Sequence, residues 1–255
     1  MTIKTSLGWA LLALVGMPVT AAAADSTVPL ATIIERVVAR DDANQKSLQS
    51  MEFNETLKTE QLDAGGKVTK HQEVHMIVRP GATDEVTVLS AKGDDLPTDP
   101  DAAARKAKGE QAKGKSMRFA LKDMASRFVI AQEGADVFQG QPVYVLSFEP
   151  KPDQSYRDQT EKVLNQLHGK MWISTADYSV LKTEAALAHP VEIAWFLAQI
   201  TSLDFHYELR GGPGAMGPAL IQTSVVVEAP FITVRQRMTF DMTQFRPRTK
   251  AASGN

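Results

Sequence analysis

The chain has 255 residues, no cysteine and a formal net charge of -2 at pH 7. So balanced a charge argues against a general affinity for nucleic acid or anionic lipid surfaces. Without cysteine there are no disulfides, thiolate metal sites or thiol nucleophiles. The fold must rest on its core alone, and the length permits that.

Residues 1–24 read as a secretory signal peptide. Lys4 is the basic residue, an apolar stretch runs from Leu7 through Val15 to Val19, and Ala21 to Ala24 form a cleavage site before Asp25. An uncleaved anchor needs roughly 18–20 apolar residues, a length approached here only by counting the alanines and tolerating Pro18. The expected location is the periplasm. Residues 25–246 are expected to form a single domain, followed by a polar tail at 247–255.

Ile33, Ile34, Val37 and Val38 predict an amphipathic helix over Leu30 to Leu48. Strands follow. Met51, Phe53 and Leu57 alternate with Glu52, Asn54 and Thr56, and Asp63 to Gly66 form a turn before an extended stretch from Lys67 to Val78. Pro80-Gly81 marks the next turn, and a further strand spans Glu85 to Ala91.

Residues 93–115 hold many charges and almost no apolar side chain, which predicts a mobile loop or an exposed helix. A short helix from Met117 to Phe128 is expected beneath the sheet. Strands are expected at Phe128 to Ile130, Asp136 to Phe138 and Pro142 to Phe148. A helical stretch from Asp153 to His168 is predicted next, with Val163, Leu164 and Leu167 on one face and Gly169 ending it. Lys170 to Ser174 pairs with Val180 to Leu187. Val191 to Ile200 reads as a short helix, Thr201 to Arg210 as a strand and Gly211 to Pro218 as a loop. In the last hairpin Ile221, Thr223, Val225 and Val227 share a face, opposite Ile232, Val234, Met238, Phe240 and Met242.

About ten consecutive strands joined by short turns predict a mainly β (α+β) fold: one large curved antiparallel sheet with a few helices on its concave side.

Gly109 to Ser116 matches the phosphate-binding loop letter for letter, yet the chemistry needs a buried strand before it. Asp101 to Lys108 is too charged for one, so no nucleotide is expected. His71, Glu73 and His75 alternate along a strand and project to one face, where they offer three ligands for a divalent metal. No fourth ligand is suggested nearby and a polar face turned to solvent explains them better, so no metal or other cofactor is expected. There is no Gly-x-Ser-x-Gly elbow, and His168, His189 and His206 have no nucleophile at an informative spacing. The chain reads as non-catalytic.

Three stretches carry a family likeness. The run Phe138-Gln139-Gly140-Gln141-Pro142-Val143-Tyr144-Val145-Leu146-Ser147-Phe148-Glu149-Pro150 is followed by Gly169-Lys170-Met171-Trp172-Ile173-Ser174. Tyr178-Ser179-Val180-Leu181-Lys182-Thr183-Glu184 completes it. Together they resemble the outer-membrane lipoprotein-sorting-like proteins, whose half-barrel is that of LolA, LolB and RseB. The resemblance implies an incomplete barrel around a few helices, an apolar groove for acyl chains and no catalytic residues. By strand face and aromatic character, Phe53, Met171, Trp172, Trp195, Phe196, Met238 and Phe240 are expected to line that groove.

Three functions compete. The first is a periplasmic carrier for a lipid or lipoprotein acyl chain. The second is an envelope interaction or sensing module that docks a partner protein through the groove or the 93–115 segment. The third is a metal-assisted enzyme built on His71, Glu73 and His75. The resemblance ranks the carrier first.

Overall fold

The computed structural model describes residues 28–81, 84–96, 99, 102, 105–106, 109, 121, 124–193, 197–211 and 219–248. Several expectations lie wholly or largely outside these residues: the signal peptide, most of the 93–115 segment with its phosphate-loop pattern, and the first part of the helix expected from Met117. So do Trp195, Phe196, the loop after Gly211 and the tail after Arg248.

The chain runs α1 (Leu30–Leu48), β1 (Met51–Leu62), β2 (Val68–Arg79), β3 (Glu85–Gly93), α2 (Met124–Arg127), β4 (Phe128–Phe138) and β5 (Gln141–Pro150). It continues with α3 (Gln159–Leu164), β6 (Leu167–Ser174), β7 (Val180–Leu187), β8 (Val191–Glu192), β9 (Gln199–Leu209), β10 (Ala219–Ala229) and β11 (Ile232–Pro247). The eleven strands form one sheet in the order β3-β2-β1-β11-β10-β9-β7-β6-β5-β4, with β8 attached to β9. Every pairing is antiparallel. Most are hairpins between neighbours in sequence, and one long-range pairing joins the first strand to the last. There β11 lies against β1 from Met51↔Pro247 to Leu62↔Arg235. The sheet stays open, with β3 and β4 at its edges. These two strands are consecutive, so the charged segment is the stretch of chain that links one edge to the other.

Strand alternation decides which side chains face inward. Phe53 and Leu57 of β1 join Val74, Met76, Val78 and Phe240 in one buried cluster. A second cluster gathers Tyr144, Leu146 and Phe148 of β5 with Met171 and Ile173 of β6, and Ile33 and Val37 of α1 pack into it. The helix has no side-chain cap at Pro29; tertiary contacts hold it instead. Arg36 donates to the Tyr178 hydroxyl at 2.6 Å, and Arg40 reaches Asp177 at 3.1 Å and the Ser179 hydroxyl at 3.2 Å. On the opposite face charges alternate in sign across the strands. Glu184 sits opposite Lys170 on one side and His206 on the other, and Glu73 sits between Lys58 and Lys92. Cross-strand pairs of this kind favour one register over its slips.

Four local expectations are corrected. Residues 128–138 form a single strand rather than two, because a bulge between Gln132 and Gly134 absorbs the break in pattern. Of the expected helix from Met117 to Phe128, the described helical turn is α2, and Phe128 already opens β4. The helix expected from Asp153 to His168 shrinks to α3. It is capped by the Asp158 carboxylate, which accepts from the Glu161 amide at 2.9 Å. Glu161 then accepts from Arg127 at 2.8 Å and from the Arg157 amide at 2.8 Å, while Arg127 also donates to Asn165 at 2.7 Å. This polar knot stops the helix, Leu167 begins β6, and Gly169 is a strand residue. Finally, Val191 and Glu192 pair with Ile200 and Gln199 as strand, not helix.

Two predictions arise here. The hydrogen bonds from Arg157 hold the Glu161 carboxyl down to about 2, and those from Lys92 and His75 hold Glu73 down to about 2. A carboxyl lowered by folding adds stability above its unfolded value and loses it as pH falls toward the folded one. The parent should therefore be more stable than Glu161→Gln at neutral pH. Urea titrations of the two should converge as pH is lowered from 4.5 to about 2. A gap that does not change with pH would refute the linkage.

The second concerns the β10–β11 turn. Phe231 follows Pro230 at φ +71 with its ring wholly exposed, where a turn led by proline favours glycine. Phe231→Gly should raise stability by about 0.5–1 kcal/mol, the left-handed penalty less the extra entropy of glycine. A lower urea midpoint would show that the ring makes stabilising contacts.

Candidate ligand-binding cavity

The two buried clusters do not meet everywhere. Between them lies a cavity of about 340 Å³, within the range of small-molecule sites. Phe53, Met238 and Phe240 form one wall, and Phe148, Met171 and Leu203 contribute to the other. On β9 alternation sends Leu203, Phe205, Tyr207 and Leu209 to the same space. Helix α1 closes one side with Val37, Asp41, Asn44 and Leu48, at the three- and four-residue spacing of a single helical face.

The lining is mostly apolar but carries a polar minority. Glu55 is 1% exposed and faces the cavity from β1, between Met242 and Met76 on the adjoining strands. Burial pushes the Asp41 carboxyl above the usual carboxylate range, and Asp42 adds to the rise. Burial pushes the Tyr207 phenol up to about 12, with the charge of Asp41 adding to the effect. Its hydroxyl therefore stays protonated across the physiological range.

Of the seven residues expected to line a groove, the structure brings Phe53, Met171, Met238 and Phe240 together around this space. Phe53 also stacks on Phe245, with ring centroids 4.8 Å apart. Trp172 is not in the lining. It follows Met171 along β6 and so points to the other face, beside Val143 and Leu181, with the Lys182 ammonium 4.3 Å from its ring centre. Trp195 and Phe196 lie outside the described residues.

Sequence reasoning missed Asp41, Asn44, Glu55 and Tyr207. Glu55 was detectable, since it shares strand parity with Phe53 and Leu57. So were Asp41 and Asn44, which continue the stripe begun by Ile33 and Val37.

A second concavity, about 540 Å³, lies on the outer face and is lined by charged groups including Glu133, His168, Lys170, Glu184 and His206. Its charges answer one another: Lys170 meets Glu133, and Lys182 meets Glu184 at 2.8 Å. His71, Glu73 and His75 do not converge. Glu73 is engaged by Lys92 at 3.0 Å and His75 at 2.9 Å, while His71 faces Asp94 at 3.4 Å. Among the described residues no group of three His, Cys, Asp or Glu side chains is placed to hold a metal ion. Nor, among them, is any helix long and apolar enough to cross a membrane.

No protein-family model matches the chain, and no curated protein matches it. Solved structures do. A LolA superfamily protein from Nitrosomonas europaea is 11% identical, with 88% of this chain and 96% of that one covered and a TM-score of 0.31. A DUF1329 family protein from Desulfovibrio piger is 12% identical, with 89% and 96% covered and a TM-score of 0.38. A putative outer membrane lipoprotein-sorting protein domain from Vibrio parahaemolyticus is 11% identical, with 86% and 94% covered and a TM-score of 0.33. The fold assignment itself rests on the open sheet and its registers.

Proposed function

We propose that this chain is a non-catalytic periplasmic binding protein that carries an apolar chain, from a lipid or an acylated protein, in the cavity between α1 and the sheet. The observation that supports this reading is the cavity itself. A space of about 340 Å³ bounded by Phe, Met and Leu side chains is far larger than the water-sized voids a packed core leaves. Filling it with hydrocarbon removes apolar surface from water on both partners, at about 25 cal/mol per Å². The signal-peptide pattern at residues 1–24 supports the compartment.

Native mass spectrometry of the protein, purified from periplasm without detergent, tests the reading. A lipid adduct released on denaturation is the expected result. An apo mass unchanged after incubation with membrane lipids and acylated peptides would overturn it in favour of partner docking.

A further inference from the structure

We infer that the cavity selects amphiphiles whose polar end is uncharged or cationic and donates hydrogen bonds, seated against Asp41, Asn44 and Tyr207, and that it rejects anionic ones such as fatty acids. The inference rests on the binding-protein reading above and deepens it to a ligand class.

Charge comes first. Among the described residues lining the cavity there is no lysine, arginine or histidine, but there are two carboxyl groups, Asp41 and Glu55. The protein as a whole is not short of cations, with 28 lysines and arginines. Arg36 and Arg40 stand on the same helix as Asp41 but are turned to Tyr178 and Asp177. A carboxylate or phosphate drawn into the cavity would leave water, meet no counter-charge and face two acidic side chains. Removing an ion from water without a partner is among the costliest steps in recognition. An ammonium group would meet carboxyl oxygens instead, and a hydroxyl or amide would carry no such penalty.

Hydrogen bonding is a separate observation. Tyr207 lines the cavity, and its phenol is pushed up chiefly by burial. Among the described residues it makes no hydrogen bond. Tyr207 is half-buried, and a ligand that shuts water out of the cavity must supply its hydroxyl with a partner in place of that water. The helix adds to the case. Positions 41 and 44 belong to the stripe that carries Ile33, Val37 and Leu48, where simple packing would favour apolar residues. Polar side chains there place hydrogen-bonding groups on the α1 side of a lining that is otherwise mostly apolar, which suits an amphiphile.

The test is a matched series on the purified mature protein: decan-1-ol, decylamine, decanoic acid and methyl decanoate at neutral pH, each competed against a fluorescent apolar probe. The alcohol and the amine are expected to bind at least about tenfold more tightly than the acid, the scale of one hydrogen bond or charge mismatch. Tyr207→Phe should weaken decan-1-ol more than methyl decanoate, because an alcohol can both accept from and donate to the Tyr207 hydroxyl whereas an ester can only accept. Asp41→Asn should weaken the amine more than the alcohol. If decanoic acid binds as tightly as decan-1-ol, the head-group inference fails and the apolar-chain reading stands. If none of the four displaces the probe, the apolar-chain reading fails and this inference falls with it.

Discussion

Replacing Gly169 by valine is expected to cost about 3 kcal/mol, the upper end of overpacking penalties, and to lower the melting temperature by roughly 6–12 °C for a domain of this size. Gly169 sits in β6 with Phe148 opposite on β5 and Ala185 opposite on β7. Where its side chain would stand, the β7 backbone passes. A Cβ would collide with the Glu184 carbonyl oxygen and lie 2.8 Å from the Ala185 Cα. These are main-chain atoms and cannot swing aside, so the β6–β7 ladder must open. The damage would reach the cavity, because Met171 and Ala185 both line it. Thermal unfolding followed by circular dichroism measures the effect, and Gly169→Ala should show a smaller loss in the same direction. A fall of less than about 2 °C for the valine variant would mean that the two strands do not approach so closely.

The same residue shows where sequence reasoning stops. Val163, Leu164 and Leu167 share a helical face, and a glycine two residues on completes a plausible helix end. What overrides that local pattern is tertiary: Arg127, thirty-four residues before Glu161, reaches its carboxylate and Asn165, and β7 needs a partner strand. By contrast, the strands from Met51 to Ala91 were legible because one of their faces is buried and the other wet, which writes a period of two into the residues themselves. Ile232 and Val234 belong to the same kind of alternation, yet stay 59% and 37% exposed. They lie beyond Leu62↔Arg235, the last pair of β11 with β1, so β1 does not flank them.

The candidate site was legible to the extent that it is apolar. Phe53, Met171, Met238 and Phe240 stood out as large side chains on strand faces, and all four border the cavity. Trp172 was chosen for its ring, but parity with Met171 places it on the other face. Aromatic character was the weaker guide and alternation the stronger. The polar members escaped because a carboxyl on a strand is read as solvent-facing by default. That default fails at Glu55, whose parity matches Phe53 and Leu57. A cavity differs from a core in that unfilled space tolerates such groups, and no sequence pattern distinguishes space filled by protein from space left for a ligand.

Thr223→Trp tests that distinction with the largest expected effect on binding. Thr223 lies on β10 between Met238 of β11 and Phe205 of β9, is 5% exposed and borders the cavity with both neighbours. In a filled core, an indole at this position would force its neighbours apart at a cost of about 1–3 kcal/mol or more. Beside an empty space of about 340 Å³ the ring has somewhere to go, and it gains contacts the threonine lacks. The variant should therefore keep its melting temperature within about 3 °C of the parent. Its affinity for apolar ligands should fall by more than about tenfold, equivalent to about 1.4 kcal/mol. Stability and ligand retention are thus expected to separate in one protein, which simple damage to the fold cannot produce. A folded variant that still carries its lipid adduct would place the ligand elsewhere. A variant that loses stability as Gly169→Val does would show that β10 faces packed side chains, not space held open for a guest.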